Sequence, residues 1–183
     1  MHTTRLLIVY ATTDGQTARI ARRIADVAGI DADTECRIYD VGEVRPEAIG
    51  WCNRVILAAS VHFGRHQRAM LKFVRRHGDA LSALPSAFVS VSGASSSPKT
   101  AAEAARYTED FMRRSGWRPE RIETVAGAYL YTRYNALVRF MVRRSAALSH
   151  LDTDTRRDFE YTDWDQVDRF TREFASGMAS KVA

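Results

Sequence analysis

A chain of 183 residues with 45% hydrophobic and 27% charged side chains has the size and balance of one globular domain with a proper core. Its 27 Lys and Arg outweigh 22 Asp and Glu, and the net charge of +5 points to an anionic partner: nucleic acid, an acidic lipid surface or a polycarboxylate. No apolar run reaches bilayer-spanning length, so any membrane contact is expected to be peripheral. Cys36 and Cys52 lie far apart, with no histidine at ligand spacing, which argues against a disulfide framework or a zinc site. Both read as small core residues of a reducing compartment. A strand begins almost at once, leaving no room for a signal peptide.

The first element, Leu6 to Tyr10, is a buried strand by its aliphatic and aromatic content. Ala18, Ile20, Ala21, Ile24, Ala25 and Val27 then recur at helical spacing, with Arg19, Arg22 and Arg23 on the other side. Between them lie Thr12, Thr13, Asp14, Gly15, Gln16 and Thr17, a hydroxyl-rich turn at a helix N-terminus. Orphan backbone donors and the helix dipole make such a turn a phosphate site. The alternative is an ordinary strand–helix turn with Thr13 or Asp14 as N-cap. Neither a Walker loop nor a Gly-x-Gly-x-x-Gly dinucleotide motif is present.

Residues 34–40 form a second strand near a sheet edge, and 41–50 a loop with one helical turn. Residues 54–60 are a central parallel strand, ending in a loop through Ser60, Val61, His62, Phe63 and Gly64. A helix follows over 67–77, with Gly78 as its C′ residue. Residues 86–92 are the next buried strand, leading into the small polar stretch Ser92, Gly93, Ala94 and Ser95. A helix spans 99–115 and is closed by Gly116, a fifth strand covers 122–130, and a final amphipathic helix begins near Asp163.

Alternating strands and helices imply right-handed crossovers and an α/β, doubly wound parallel sheet. With five strands the expected order is flavodoxin-like, 2-1-3-4-5, and a ligand lies beyond the carboxyl ends of the strands. Three polar loops fall there together. The first suits a phosphate. The second and third flank a flat ring, with His62 and Phe63 stacking and Gly93 allowing close approach. That pattern fits flavin mononucleotide (FMN) better than ATP, because no magnesium-binding acid accompanies the phosphate turn. Simple packing of an exposed loop is the other reading of His62 and Phe63.

Residues 131–161 are the unusual segment. On a helical wheel Tyr134, Leu137, Val138, Met141, Val142 and Leu148 share a face, Arg139 and Arg143 lie opposite, and Arg144 and Phe140 lie on the flanks. This describes an interfacial helix or a lid over an anionic ligand, unless the apolar face simply packs on the domain. Asp152 and Asp154 belong to a polar turn without the glycine and glutamate of an EF-hand.

The run Thr12 to Thr17, Pro85-Ser86-Ala87-Phe88, Trp117-Arg118-Pro119, Ala126-Gly127-Ala128, Thr153-Asp154-Thr155-Arg156 and Tyr161-Thr162-Asp163-Trp164 together resemble the bacterial menaquinone-dependent protoporphyrinogen IX dehydrogenases, an oxygen-independent flavodoxin-like family of haem synthesis. The resemblance covers nearly the whole chain. It implies non-covalent FMN, protoporphyrinogen IX as substrate, menaquinone or ubiquinone as acceptor, and peripheral attachment to the anionic cytoplasmic face of the inner membrane. It maps the phosphate loop onto 12–17, the ring loops onto 60–64 and 92–95, and a basic insert onto 131–150. Arg133, Arg139, Arg143 and Arg144 then pair with propionates or lipid headgroups. Residues 93–97 lack the basic character expected of a propionate grip. No side chain stands out as a general base, and a homo-oligomer is compatible with the sequence. Rival readings are an electron-carrying flavodoxin, usually acidic, an NAD(P)H:quinone reductase, and a nucleic-acid module, for which no motif is present.

Overall fold

The computed structural model describes residues 3–148 and 151–177. His150 and the side chain of Leu148, both placed in the insert by sequence, lie outside the described residues. In chain order the elements are β1 (Thr4–Ala11), α1 (Gln16–Ala28), β2 (Thr34–Asp40), α2 (Pro46–Trp51), β3 (Arg54–His62), β4 (Arg65–His66), α3 (Arg68–Ser82), β5 (Ser86–Ser92), α4 (Ala101–Ser115), β6 (Arg121–Ala126), β7 (Ala128–Tyr129), α5 (Ala136–Leu148), β8 (Phe159–Glu160) and α6 (Trp164–Ala175).

Leu6, Leu7, Ile8 and Val9 of β1 are wholly buried, as expected of a strand covered on both faces. Their alternation sorts the core into two halves. Leu7, Val9, Val55, Leu57 and Phe88 point to the side of α3 and α4, where Met70, Phe73, Val74 and Phe111 meet them. Leu6, Ile8, Ile56, Val89 and Val125 point to α1 and α6, against Ile20, Ile24, Phe170 and Phe174. The five long strands run parallel in the order β2-β1-β3-β5-β6, which is the expected 2-1-3-4-5 order.

Three expectations are corrected. Gly78 does not end its helix; α3 continues to Ser82 because the next turn buries Leu81 completely. A mid-helix glycine costs about 1 kcal/mol, less than the roughly 1.5–3 kcal/mol gained by burying a leucine. The fifth strand stops at Ala126 rather than running to Leu130. At Gly127 the chain leaves the sheet, and Ala128–Tyr129 pairs antiparallel with Phe159–Glu160. A Cβ at Gly127 would lie 3.3 Å from Val91 Cγ1, so glycine lets the chain turn close to the sheet without pushing that side chain aside. Finally, Cys36 is half-buried on the edge strand, whereas Cys52 is in the core.

Candidate functional site

α1 begins without a side-chain cap. Its N-cap is Gly15, at φ 93°, a left-handed conformation that glycine adopts freely. The expectation of Thr13 or Asp14 as N-cap is therefore corrected. Thr12 Oγ1 instead accepts from Gly15 N at 3.0 Å and closes the turn on itself. The first-turn amides have no partner within the helix. Beside them Thr17 Oγ1 is buried with no hydrogen-bond partner. Unpaired donors around one small concavity suit a phosphate.

The second loop is a tight hairpin. Val61 pairs with His66 and His62 with Arg65, leaving Phe63 and Gly64 as the two turn residues, at φ 51° and 75°. Two positive φ values are the pattern of a type I′ turn, and they hold Phe63 outward, 73% exposed. Gln67 ties this loop to the first, its Nε2 donating to Thr13 Oγ1 at 2.8 Å and to Ser60 Oγ at 2.9 Å. Burial lowers the His62 pKa, opposed by the charge of Asp14. In the third loop, residues 93–96 form a single 3₁₀ turn, tied by Ser92 Oγ to Ser95 Oγ at 2.9 Å. The space over Gly93 is already taken: a Cβ there would sit 2.0 Å from Tyr129 Oη. The close approach that glycine permits is thus made by a tyrosine of the chain itself.

The three loops enclose one side of a cleft of about 630 Å³. Thr12, Thr13, Asp14, Gln16, Thr17, Ser60, Val61, His62, Phe63, Gly64, Ser92, Gly93 and Ala94 all line it; Gly15 and Ser95 shape the loops without facing it. The insert forms the other side through Arg133, Tyr134, Val138, Phe140, Met141, Val142 and Arg144. The apolar face of α5 therefore overhangs the cleft instead of packing on the sheet, and Leu137, Phe140 and Met141 remain exposed. Arg139 and Arg143 do not line the cleft. Arg139 is used inside the insert, its Nε and Nη2 donating to the carbonyls of Tyr131 and Tyr134 at 3.1 and 2.9 Å. Arg143 points to solvent.

Sequence reasoning does not single out the residues that fasten the insert. Tyr134, read as part of an apolar face, donates its hydroxyl to Asp14 Oδ2 at 2.8 Å. Burial and that bond both raise its pKa. On the return limb, Gln16 Nε2 donates to Glu160 Oε1 at 3.1 Å and Thr162 Oγ1 at 2.8 Å, and Arg19 pairs with Glu160 Oε2 at 2.8 Å. Burial alone would raise the Glu160 pKa, but Arg19 and Gln16 together hold it below the usual range. Tyr131 is fully buried, with its phenol pushed up to about 12 by burial, and donates to Asp152 O at 2.9 Å. Glu103 and Tyr107 of α4, hydrogen-bonded to each other, complete the cleft wall.

Residues 7–156 match the flavodoxin domain family. The chain is 37% identical over 175 residues to a protoporphyrinogen IX dehydrogenase (quinone) of Escherichia coli (strain K12), covering 93% of this chain and 94% of that one. A protein of the same name from Leishmania major is 33% identical over 173 residues, covering 94% of this chain and 75% of its own. Among solved structures, the oxidised flavodoxin 1 of Bacillus cereus superposes with a TM-score of 0.57 at 16% identity, over 96% of this chain and 99% of that one, which shows the shared fold. With sheet order, cleft and near full-length identity in agreement, the chain belongs to the flavodoxin-domain family of quinone-dependent protoporphyrinogen IX dehydrogenases.

Proposed function

We propose that this chain binds flavin mononucleotide in the cleft and oxidises protoporphyrinogen IX to protoporphyrin IX, passing the electrons to a membrane quinone. The observation that carries the cofactor reading is the uncapped start of α1 beside the buried, unpaired Thr17 hydroxyl. A phosphate monoester satisfies the backbone donors and that hydroxyl at once. The backbone N–H groups at the start of α1 and the hydroxyls of Thr12, Thr13 and Thr17 hold the phosphate, and loops 60–64 and 92–95 bound the ring. When bound, the flavin supplies a two-electron acceptor that a quinone can reoxidise. Removing six hydrogens from a porphyrinogen requires that acceptor to be regenerated between steps.

The residues of the chain orient the substrate. Arg133 and Arg144 line the cleft opposite the cofactor loops and pair with the propionate carboxylates. Val138, Phe140, Met141 and Val142 supply an apolar wall for the tetrapyrrole and keep water from it. The insert, residues 131–161 within a single domain, is thus the part that selects substrate. Its exposed Leu137, Phe140 and Met141 lie close in sequence to Arg133, Arg143 and Arg144, all exposed. Such a rim supports peripheral attachment to the anionic cytoplasmic face of the inner membrane, at about 1 kcal/mol per cation. No described helix is long and apolar enough to cross a membrane.

The test is a visible spectrum of the purified protein, followed by anaerobic titration with protoporphyrinogen IX and a soluble menaquinone analogue. Flavin absorbance that bleaches with the first and returns with the second is the expected result. A protein without flavin, or one whose reduced flavin the quinone leaves unoxidised, contradicts it. Arg133→Ala and Arg144→Ala are each expected to raise KM for protoporphyrinogen about tenfold, with a smaller change in kcat, the loss of one charge-assisted pair. Phe63→Gly separates strain from function. It relieves a non-glycine residue at φ 51° and so stabilises the chain by about 1 kcal/mol. It also removes the exposed ring and weakens flavin mononucleotide severalfold. Denaturant titration and flavin fluorescence read the two effects independently.

A further inference from the structure

The turn that begins α1 carries its own anion. Asp14 stands one residue before the N-cap Gly15, which has no side chain to offer the helix end. A helix N-terminus attracts whichever negative group can reach it, so Asp14 is the nearest intramolecular rival for donors that a phosphate would use. Next to those donors Thr17 is 1% exposed and its Oγ1 is unpaired, which marks the place as built for a ligand. Asp14 lines the same cleft but is tied to the insert. Its Oδ2 accepts from Tyr134 Oη at 2.8 Å, across 120 residues of sequence. Tyr134 is itself fixed, because its Oη accepts from Leu130 N at 3.3 Å and its carbonyl accepts from Arg139 at 2.9 Å.

We propose that Asp14 is a built-in competitor for the anion site at the start of α1, and that Tyr134 is the positioning residue that holds it off. The inference rests on the flavin mononucleotide reading above. It makes cofactor affinity depend on the insert: a docked insert clears the site, and a displaced insert releases a carboxylate toward it. The same cleft is then assembled for cofactor and substrate together.

The test uses cofactor-free full-length protein titrated with flavin mononucleotide, followed by flavin fluorescence, with unfolding midpoints measured alongside. Tyr134→Phe, which removes only the hydroxyl, is expected to raise Kd about tenfold, as loss of a hydrogen bond to a charged group does. Adding Asp14→Asn to that variant is expected to return Kd to within about threefold of wild type, because the rival charge is gone. Asp14→Asn alone is expected to bind at least as tightly as wild type. Tyr134→Phe binding like wild type overturns the inference, as does a double variant as weak as the single one, which would make Tyr134 a packing residue only. Should Tyr134→Phe not fold, Asp14→Asn decides: unweakened binding supports the inference and weakened binding overturns it. A wild-type chain that takes up no flavin mononucleotide overturns the cofactor reading itself, and this inference with it.

Discussion

A Thr17→Val chain is expected to be more stable than wild type without cofactor, and to bind flavin mononucleotide roughly 10- to 100-fold more weakly. The two effects have opposite signs because the hydroxyl has opposite values in the two states. Without ligand, Thr17 Oγ1 is buried and unpaired, and a buried polar atom left unsatisfied costs about 1–3 kcal/mol. Valine has nearly the same shape, keeps the branched side chain in the first turn of α1, and removes that cost; a gain of about 1 kcal/mol is expected. With phosphate bound, the same hydroxyl donates to a charged acceptor, an interaction of roughly 1.5–3 kcal/mol. Denaturant unfolding of the cofactor-free protein and a flavin titration measure the two halves. A variant that loses stability and keeps its affinity would show that Thr17 has another partner.

Acidification from pH 6.5 towards pH 4 is expected to remove about 3 kcal/mol of stability through His66 alone. The imidazole is 5% exposed, its Nε2 lies 2.8 Å from Ser90 Oγ, and its ring meets Phe88 and Phe111 edge-on at 5.1 Å. Burial pushes its pKa down from 6.5 to about 4. The folded state therefore binds fewer protons than the unfolded state between those values, and stability falls as pH drops through the window. At about 1.36 kcal/mol per pKa unit the contribution is about 3 kcal/mol, fully present above pH 6.5. Asp168 and Glu160 are both held below the usual carboxylate range, so their losses come lower, through and below the ordinary carboxylate range. His62 and His77, lowered by burial, contribute in the same direction between pH 6.5 and 5, and Glu123, raised by burial, in the opposite one, so the share of His66 is read by comparison with its variant. Urea unfolding across this window should show a slope that His66→Gln flattens; an equal slope in both chains excludes His66 as a source. Because His66 pairs with Val61 across the hairpin, acid should loosen the loop that carries Phe63 before the rest of the sheet.

The sheet was legible because its strands are short apolar runs bounded by turn residues, and Leu6–Val9 and residues 55–59 leave no other reading. The phosphate turn was legible for the same local reason, since a glycine and three threonines at a strand–helix junction act within a few bonds of one another. The insert was legible only in part. Its helix followed from periodicity, but which side faces the cleft depends on Tyr134 meeting Asp14 and on Gln16 meeting Glu160 and Thr162, contacts across more than a hundred residues. Periodicity treats Tyr134 as apolar surface and cannot see its hydroxyl bond. Charge alone likewise treats Arg133, Arg139, Arg143 and Arg144 alike, as partners of propionates or lipid headgroups, whereas Arg139 is consumed by two carbonyls. Gly78 misled for a thermodynamic reason: the local preference of one glycine is smaller than the burial of one leucine.

The ribbon of Ala128–Tyr129 against Phe159–Glu160 brings the two ends of the insert side by side. The chain between them leaves and rejoins the sheet through this one narrow neck, with the Tyr134–Asp14 bond as a further tie. Lengthening or replacing such a segment leaves the register of the five parallel strands untouched, and doubling its length adds only about 0.6 kcal/mol of closure entropy. The architecture is modular in a literal sense. On the proposed function, the sheet that carries the cofactor loops can stay as it is while the segment on the neck, which meets the substrate, is exchanged.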